Sequence, residues 1–203
     1  WKNGMLVCRL TDGNEGAMVS SIVVSGSDVY VGGSCGTADG PSVVTFWKNG
    51  APQKLSDGIY SASLTALAIS DGTVYAVGYE FRGADLIGML WRNGVPTQLC
   101  EASYRGMPMG VCVDGSDVYV VASNADDSDG CGVLWKNGKT RQLSGSGYDV
   151  KPSAITVANR HVYVVGRADL YTVIVWRDGK SFSLPQPVWF RDRVPLLGGI
   201  AVK

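Results

Sequence analysis

The chain has 203 residues, 18 acidic against 18 basic side chains, 45% hydrophobic residues and 27 glycines. A neutral balance gives no electrostatic reason to expect nucleic acid or an anionic membrane as partner, and no apolar run approaches the roughly 18 residues of a membrane span. One histidine (His161) and five scattered cysteines without a CxxC spacing supply no metal site, and no cofactor motif appears.

The organising feature is a four-residue motif written five times: Trp1-Lys2-Asn3-Gly4, Trp47-Lys48-Asn49-Gly50, Trp91-Arg92-Asn93-Gly94, Trp135-Lys136-Asn137-Gly138 and Trp176-Arg177-Asp178-Gly179. The tryptophans stand 46, 44, 44 and 41 residues apart, a period that fixes the architecture before any residue is read for chemistry. Each unit holds four short β-like runs. The first is Ser21–Ser25, with counterparts at Ala66–Ile69, Gly110–Val113, Ala154–Val157 and Gly199–Val202. The second is Asp28–Val31, matched by Thr73–Ala76, Asp117–Val120 and His161–Val164. The third leads into the tryptophan (Val43–Trp47, Ile87–Trp91, Val133–Trp135, Val173–Trp176), and the fourth ends on Leu10, Leu55, Leu99, Leu143 or Leu184.

Runs rich in β-branched and aromatic residues, punctuated by Gly, Asn and Asp, predict strands. The Asn-Gly or Asp-Gly between third and fourth predicts a tight hairpin, and Ser-Gly-Ser-Asp or its relatives predict another between first and second. The small leading residues of the first run (Ser21, Ala66, Gly110, Ala154, Gly199) suit an innermost strand crowded around an axis. The fold class is therefore all-β: a β-propeller of four-stranded antiparallel blades, one domain over residues 1–203. The repeat count predicts five blades, with the N- and C-terminal strands sharing the closing one and only a second strand missing; a fragment of a larger propeller is the alternative. Beginning at Trp1, inside a repeat, the chain reads as a trimmed product.

In this arrangement Trp47, Trp91, Trp135 and Trp176 end their third strands and pack between blades. The two variable loop classes, second-to-third and fourth-to-first, emerge on one face, which is the candidate binding surface. Five residues past the fourth-strand leucines stand Tyr60, Tyr104, Tyr148 and Trp189. These rings read either as plugs between neighbouring blades or as ligand platforms, one per blade, suited to flat ligands or sugars. Asp126, Asp127 and Asp129 give a weak calcium pattern without the glycine and glutamate of a calcium loop; a solvated acidic loop is the simpler account. His161 and the basic residues after each tryptophan (Lys2, Lys48, Arg92, Lys136, Arg177) read as solvated turn residues, and Cys112 as a small core residue. Cys35 and Cys131 sit in loops of non-adjacent blades, against a mutual disulfide, while a Cys100–Cys112 pair stays open.

The assembled unit, Ser-Ile-x-Val-Ser-Gly-x-Asp-Val-Tyr-Val-x-Gly followed by Trp-Lys-Asn-Gly, resembles the Trp-Lys-Asn-Gly repeats of secreted and surface-anchored bacterial proteins of Bacteroidetes and spirochaetes. The resemblance covers essentially the whole chain. It implies a propeller in an extracytoplasmic setting and carries over no catalytic residues. With no catalytic motif in sight, the leading expectation is a non-catalytic binding module whose ligand, a glycan or a protein partner, sits on the variable-loop face. The alternatives are a polysaccharide-acting glycosidase or lyase using acids such as Asp39, Asp85, Asp129 or Asp169 at the channel mouth, and a structural protein assembling through blade edges.

Overall fold

The computed structural model describes residues 3–13, 16–36, 40–99, 106–124, 132–143, 150–167 and 172–183. The described residues form four four-stranded antiparallel sheets and no helix. The first sheet is β1 (Gly16–Ser25), β2 (Asp28–Gly36), β3 (Val43–Lys48) and β4 (Ala51–Lys54). The second is β5 (Ser61–Ser70), β6 (Thr73–Arg82), β7 (Asp85–Arg92) and β8 (Val95–Gln98). The third is β9 (Gly106–Asp114), β10 (Asp117–Asn124), β11 (Gly132–Lys136) and β12 (Lys139–Gln142). The fourth is β13 (Lys151–Ala158), β14 (His161–Arg167), β15 (Val173–Arg177) and β16 (Lys180–Ser183). Every sheet is a simple meander in chain order, as in a propeller blade.

Turn chemistry dictates the meander. Asn49, Asn93, Asn137 and Asp178 lie at φ between 47° and 51°, each followed by a glycine at positive φ. Two left-handed residues in succession make a type I′ turn, whose twist matches that of the flanking strands. The side chain then locks the neighbouring hairpin. Val29, Val74 and Val118 N–H groups donate to Asn49, Asn93 and Asn137 Oδ1 at 2.9 Å, and Val162 N–H donates to Asp178 Oδ1 at 3.0 Å. The one residue thus shapes one turn and ties down the next strand.

Innermost strands β1, β5, β9 and β13 lie side by side in succession, so each sheet packs on the one before. Three apolar cores fill the gaps. Trp91 joins Phe46, Leu55 and Val44 of the first sheet, Trp135 joins Leu90 and Leu99 of the second, and Trp176 joins Leu134 and Leu143 of the third. Each tryptophan therefore faces the preceding sheet. Second strands are apolar on both sides because both are covered; Val74, Tyr75, Ala76 and Val77 are all buried. Outer strands β4, β8 and β12 are exposed throughout. They are only four residues long and carry Pro52, Pro96 or Lys139, which blunts them as edges.

Two details differ from expectation. Leu55, Leu99 and Leu143 do not end the fourth strands; they lie one residue beyond, buried, with their N–H groups donating to the Val44, Gly88 and Gly132 carbonyls. Apolar burial pulls the chain inward there, away from the exposed edge. In addition, the register of every innermost pair shifts at one place, between Val19 and Ser21, Leu64 and Ala66, Val121 and Ala122 on the partner strand, and Pro152 and Ala154. This β-bulge bends the innermost strand at the same point in each sheet.

The first sheet differs from the others in one respect. Ile22, on β1, is 68% exposed, whereas Leu67, Val111 and Ile155 at the same position of β5, β9 and β13 are 6%, 7% and 8% exposed. Met18, Val19 and Val24 beside it are exposed as well. Residues 3–13 run nearby, with Cys8 Sγ 3.4 Å from where a side chain on Gly50 would begin. One repeat unit elsewhere gives almost the same relation: Arg141 of β12 lies against Gly179 of the next sheet.

Candidate functional site

The first-to-second and third-to-fourth turns gather at one end of the sheets, the second-to-third and fourth-to-first connections at the other. Of these the β6–β7 connection, expected among the long variable loops, is only a two-residue turn of Gly83 and Ala84, because β6 and β7 pair as far as Arg82 and Asp85. At the short-turn end the repeat builds a cassette. Lys48 Nζ pairs with Asp28 Oδ2 at 2.7 Å and stands 5.4 Å from the Tyr30 ring centre; Lys136 pairs with Asp117 at 2.7 Å and stands 4.9 Å from Tyr119. Arg92 repeats the ring contact with Tyr75 at 5.5 Å. Asn49 and Asn137 Nδ2 donate to the same carboxylates. The lysines expected to be merely solvated are therefore placed, by an ion pair and a ring face together.

The fourth sheet rebuilds the cassette with different chemistry. His161 replaces the aspartate and Asp178 replaces the asparagine. His161 Nδ1 lies 2.6 Å from Asp178 Oδ2, and Arg177 Nη2 lies 3.0 Å from His161 Nε2. A guanidinium can only donate, so Nε2 accepts and Nδ1–H donates to the carboxylate. His161 is thus a turn residue, as the sequence suggests, but a bonded one.

These bonds set a pH response. The Lys48 and Asn49 hydrogen bonds hold the Asp28 carboxyl below its ordinary value of 3.8. Lys136 and then Asn137 do the same for Asp117, and the Val162 N–H and His161 for Asp178. Lys48 and Lys136 are correspondingly raised above 10.5, by Asp28 and Asp117 first. A lowered carboxyl contributes stability above its unfolded value and loses it as pH falls through the folded one; a raised lysine contributes below its unfolded value and loses it as pH rises through the folded one. Melting temperature is expected to hold level between these limits and to fall below about pH 4. Circular-dichroism melts across that range check this, and the pair Asp28→Asn and Asp117→Asn should flatten the acid limb.

At the long-loop end, between the first and second sheets, lies the described part of the predicted binding face. Tyr60 is 41% exposed next to Ile59, which is 70% exposed; Phe81 is exposed as well but packs on Tyr79, on the other face of β6. The Asp57 carboxylate accepts from the Ile59 N–H at 2.9 Å and fixes the loop. Arg82 stands 5.2 Å from the Tyr60 ring centre and is held by Glu80, whose Oε2 accepts from Nε at 3.0 Å and from Nη2 at 2.8 Å. Glu80 is buried, so Arg82 neutralises it and is pinned in return. The result is a fixed surface of aromatic, cationic and apolar groups. The Glu80–Arg82 pair gave no signal in the sequence, because the stretch 78–86 reads as a loop, whereas β6 runs on to Arg82 and puts both side chains on one face.

The other platform rings, Tyr104, Tyr148 and Trp189, lie outside the described residues, as do Asp126, Asp127 and Asp129, the acids Asp39 and Asp169, and Cys100 and Cys131. Asp85 is exposed at the start of β7, on the same end as Tyr60. Among the described residues no three His, Cys, Asp or Glu side chains cluster to hold a metal, and no helix is long and apolar enough to cross a membrane. Cys112 is a free thiol, and burial pushes it up to about 12, leaving it inert; the Cys100–Cys112 pair left open by the sequence has its other member outside the described residues.

No family model and no curated protein matches the chain. Among solved structures it is similar to the tricorn protease, at 11% identity and a TM-score of 0.39 over 79% of this chain and 22% of that one. It is also similar to apo AztD from Citrobacter koseri, at 18% identity and a TM-score of 0.40 over 81% of this chain and 46% of that one. The chain spans less than half the length of either, and at these scores the likeness carries no argument about fold or activity.

Proposed function

We propose that the chain is a non-catalytic β-propeller module that binds a carbohydrate on its long-loop face and, on the strength of its repeat resemblance, works outside the cytoplasm. Its ring closes through a fifth blade, with Gly199–Val202 as innermost strand and the stretch around Trp1–Leu10 supplying the third and fourth. The bared Ile22 position supports the closure: three equivalent side chains are covered by a preceding sheet, and the chain holds one further copy of the innermost-strand pattern to cover the fourth. Closure would bring the loops bearing Tyr60, Tyr104, Tyr148 and Trp189 around one mouth.

The observation that carries the ligand class is the surface of Tyr60, Ile59 and the pinned Arg82. An aromatic ring face beside a fixed hydrogen-bond donor suits a sugar, whose faces are apolar and whose rim is hydroxyl. On a glycan array the wild-type chain is expected to select a set of glycans, and Tyr60→Ala with Tyr104→Ala to lose them by about tenfold or more in affinity, some 1.4 kcal/mol. Unchanged binding in the double variant, or no glycan bound at all, would discard the reading.

A further inference from the structure

The short-turn end carries a second feature, a groove of about 440 Å³ between the third and fourth sheets. Its lining includes Lys136, Lys139, Arg141 and Arg160, with Asp178 as its one carboxylate. Lys136 is matched by Asp117 outside the lining. Asp178 is occupied by His161 and the Val162 N–H. Three cations from two elements of different sheets therefore converge: Lys139 and Arg141 from β12, and Arg160 from the turn between β13 and β14. Arg141 makes one long contact, 3.4 Å, to the Asp178 carbonyl.

Two comparisons within the molecule separate this groove from ordinary surface. The matching groove between the first and second sheets, about 570 Å³, has Gln53 where this one has Arg141 and Gly72 where it has Arg160. Its strand position equivalent to Lys139 is Ala51. The earlier copy holds two cations, Lys48 (paired with Asp28) and Lys54, where the later one holds four, so the repeat offers a less charged version of the site without either arginine. Arg160 also sits at φ 64°, following Asn159 at 51°. The equivalent residue, Gly72, has φ 73°, a conformation glycine adopts freely and a branched backbone does not. An arginine held where glycine is the relaxed choice points to a use for its side chain.

We propose that this groove binds a phosphate or sulfate monoester of a small molecule. Guanidinium groups offer paired donors that match tetrahedral oxyanions, and a flexible lysine adds a point charge. The volume fits a group of monosaccharide size, within the usual range of small-molecule sites. The site lies at the opposite end of the sheets from Tyr60 and does not depend on the carbohydrate reading there.

The test is amide chemical-shift titration of the whole chain with glucose 6-phosphate, glucose 6-sulfate and unmodified glucose, at constant physiological ionic strength. Binding of either ester is expected to shift residues 136–141 and 159–162 while leaving 51–54 and 71–74 unmoved, and the tighter ester names the source. Arg160→Gly is expected to melt no lower than wild type yet bind at least about tenfold more weakly, and Lys139→Ala to weaken binding in the same direction. Esters that bind Arg160→Gly as well as wild type overturn the proposal. So do shifts scattered over all surface lysines, equal binding of unmodified glucose, and no binding of any of the three.

Discussion

Replacing Trp91 by alanine is expected to destabilise the fold by about 3–5 kcal/mol, the usual cost of removing a large buried aromatic. Trp91 is 1% exposed and closes β7 against the first sheet, in one core with Phe46, Leu55, Leu64, Val74 and Met89. Those neighbours come from both sheets, so a cavity there loosens the contact between sheets and not merely one strand. The backbone around it cannot collapse to fill the gap, because Asn93 and Gly94 fix the next turn and Asn93 also ties Val74. Urea unfolding followed by far-ultraviolet circular dichroism measures the loss. A change below about 1 kcal/mol would remove Trp91 from its packing role.

Gly78→Ala is expected to cost about 3 kcal/mol, at the upper end of overpacking effects. A methyl group on Gly78 would fall 1.9 Å from the Ser63 carbonyl oxygen and 2.9 Å from the Leu64 Cα. Both are backbone, so no side chain can swing aside. The crowding comes from the bulge at Thr65, which pushes β5 toward β6 at this register. Gly33 and Gly166 repeat the contact, at 2.0 Å from the Met18 oxygen and 2.5 Å from the Lys151 oxygen. The third sheet has Ala122 in that register, opposite Pro108, so a backbone can be arranged for a methyl group if the partner strand is built for it. The variant tests whether β5 can adopt that arrangement: thermal melting unchanged from wild type would mean that it does.

Much of the fold was legible because each level of the sequence agrees with the next. Asn49-Gly50 and its copies specify the hairpin, the β-branched runs specify strands, and the period sets one sheet per repeat. The burial of Trp47, Trp91, Trp135 and Trp176 follows from the same pattern. What was not legible depends on distances between residues of different elements. Lys48 and Lys136 looked solvated because their partners, Asp28 and Asp117, lie some 20 residues earlier in the chain. The bulges leave only glycines and small residues as a trace. Tyr60 was legible as a repeated aromatic position, but not the Arg82 over its ring. The cationic groove was hidden because Arg160 belongs to one repeat and Lys139 and Arg141 to the one before it.

Closure of the ring rests on a single exposed face, and one comparison tests it: the unfolding free energies of Ile22→Asp and Leu67→Asp in the whole chain. Leu67 is buried against the first sheet, so an unpaired aspartate there should cost several kcal/mol. If the closing blade covers Ile22 in the same way, Ile22→Asp should cost within about 1 kcal/mol as much. A loss under about 0.5 kcal/mol, the ordinary range of a surface substitution, would contradict the closed ring and leave the first sheet with an open face.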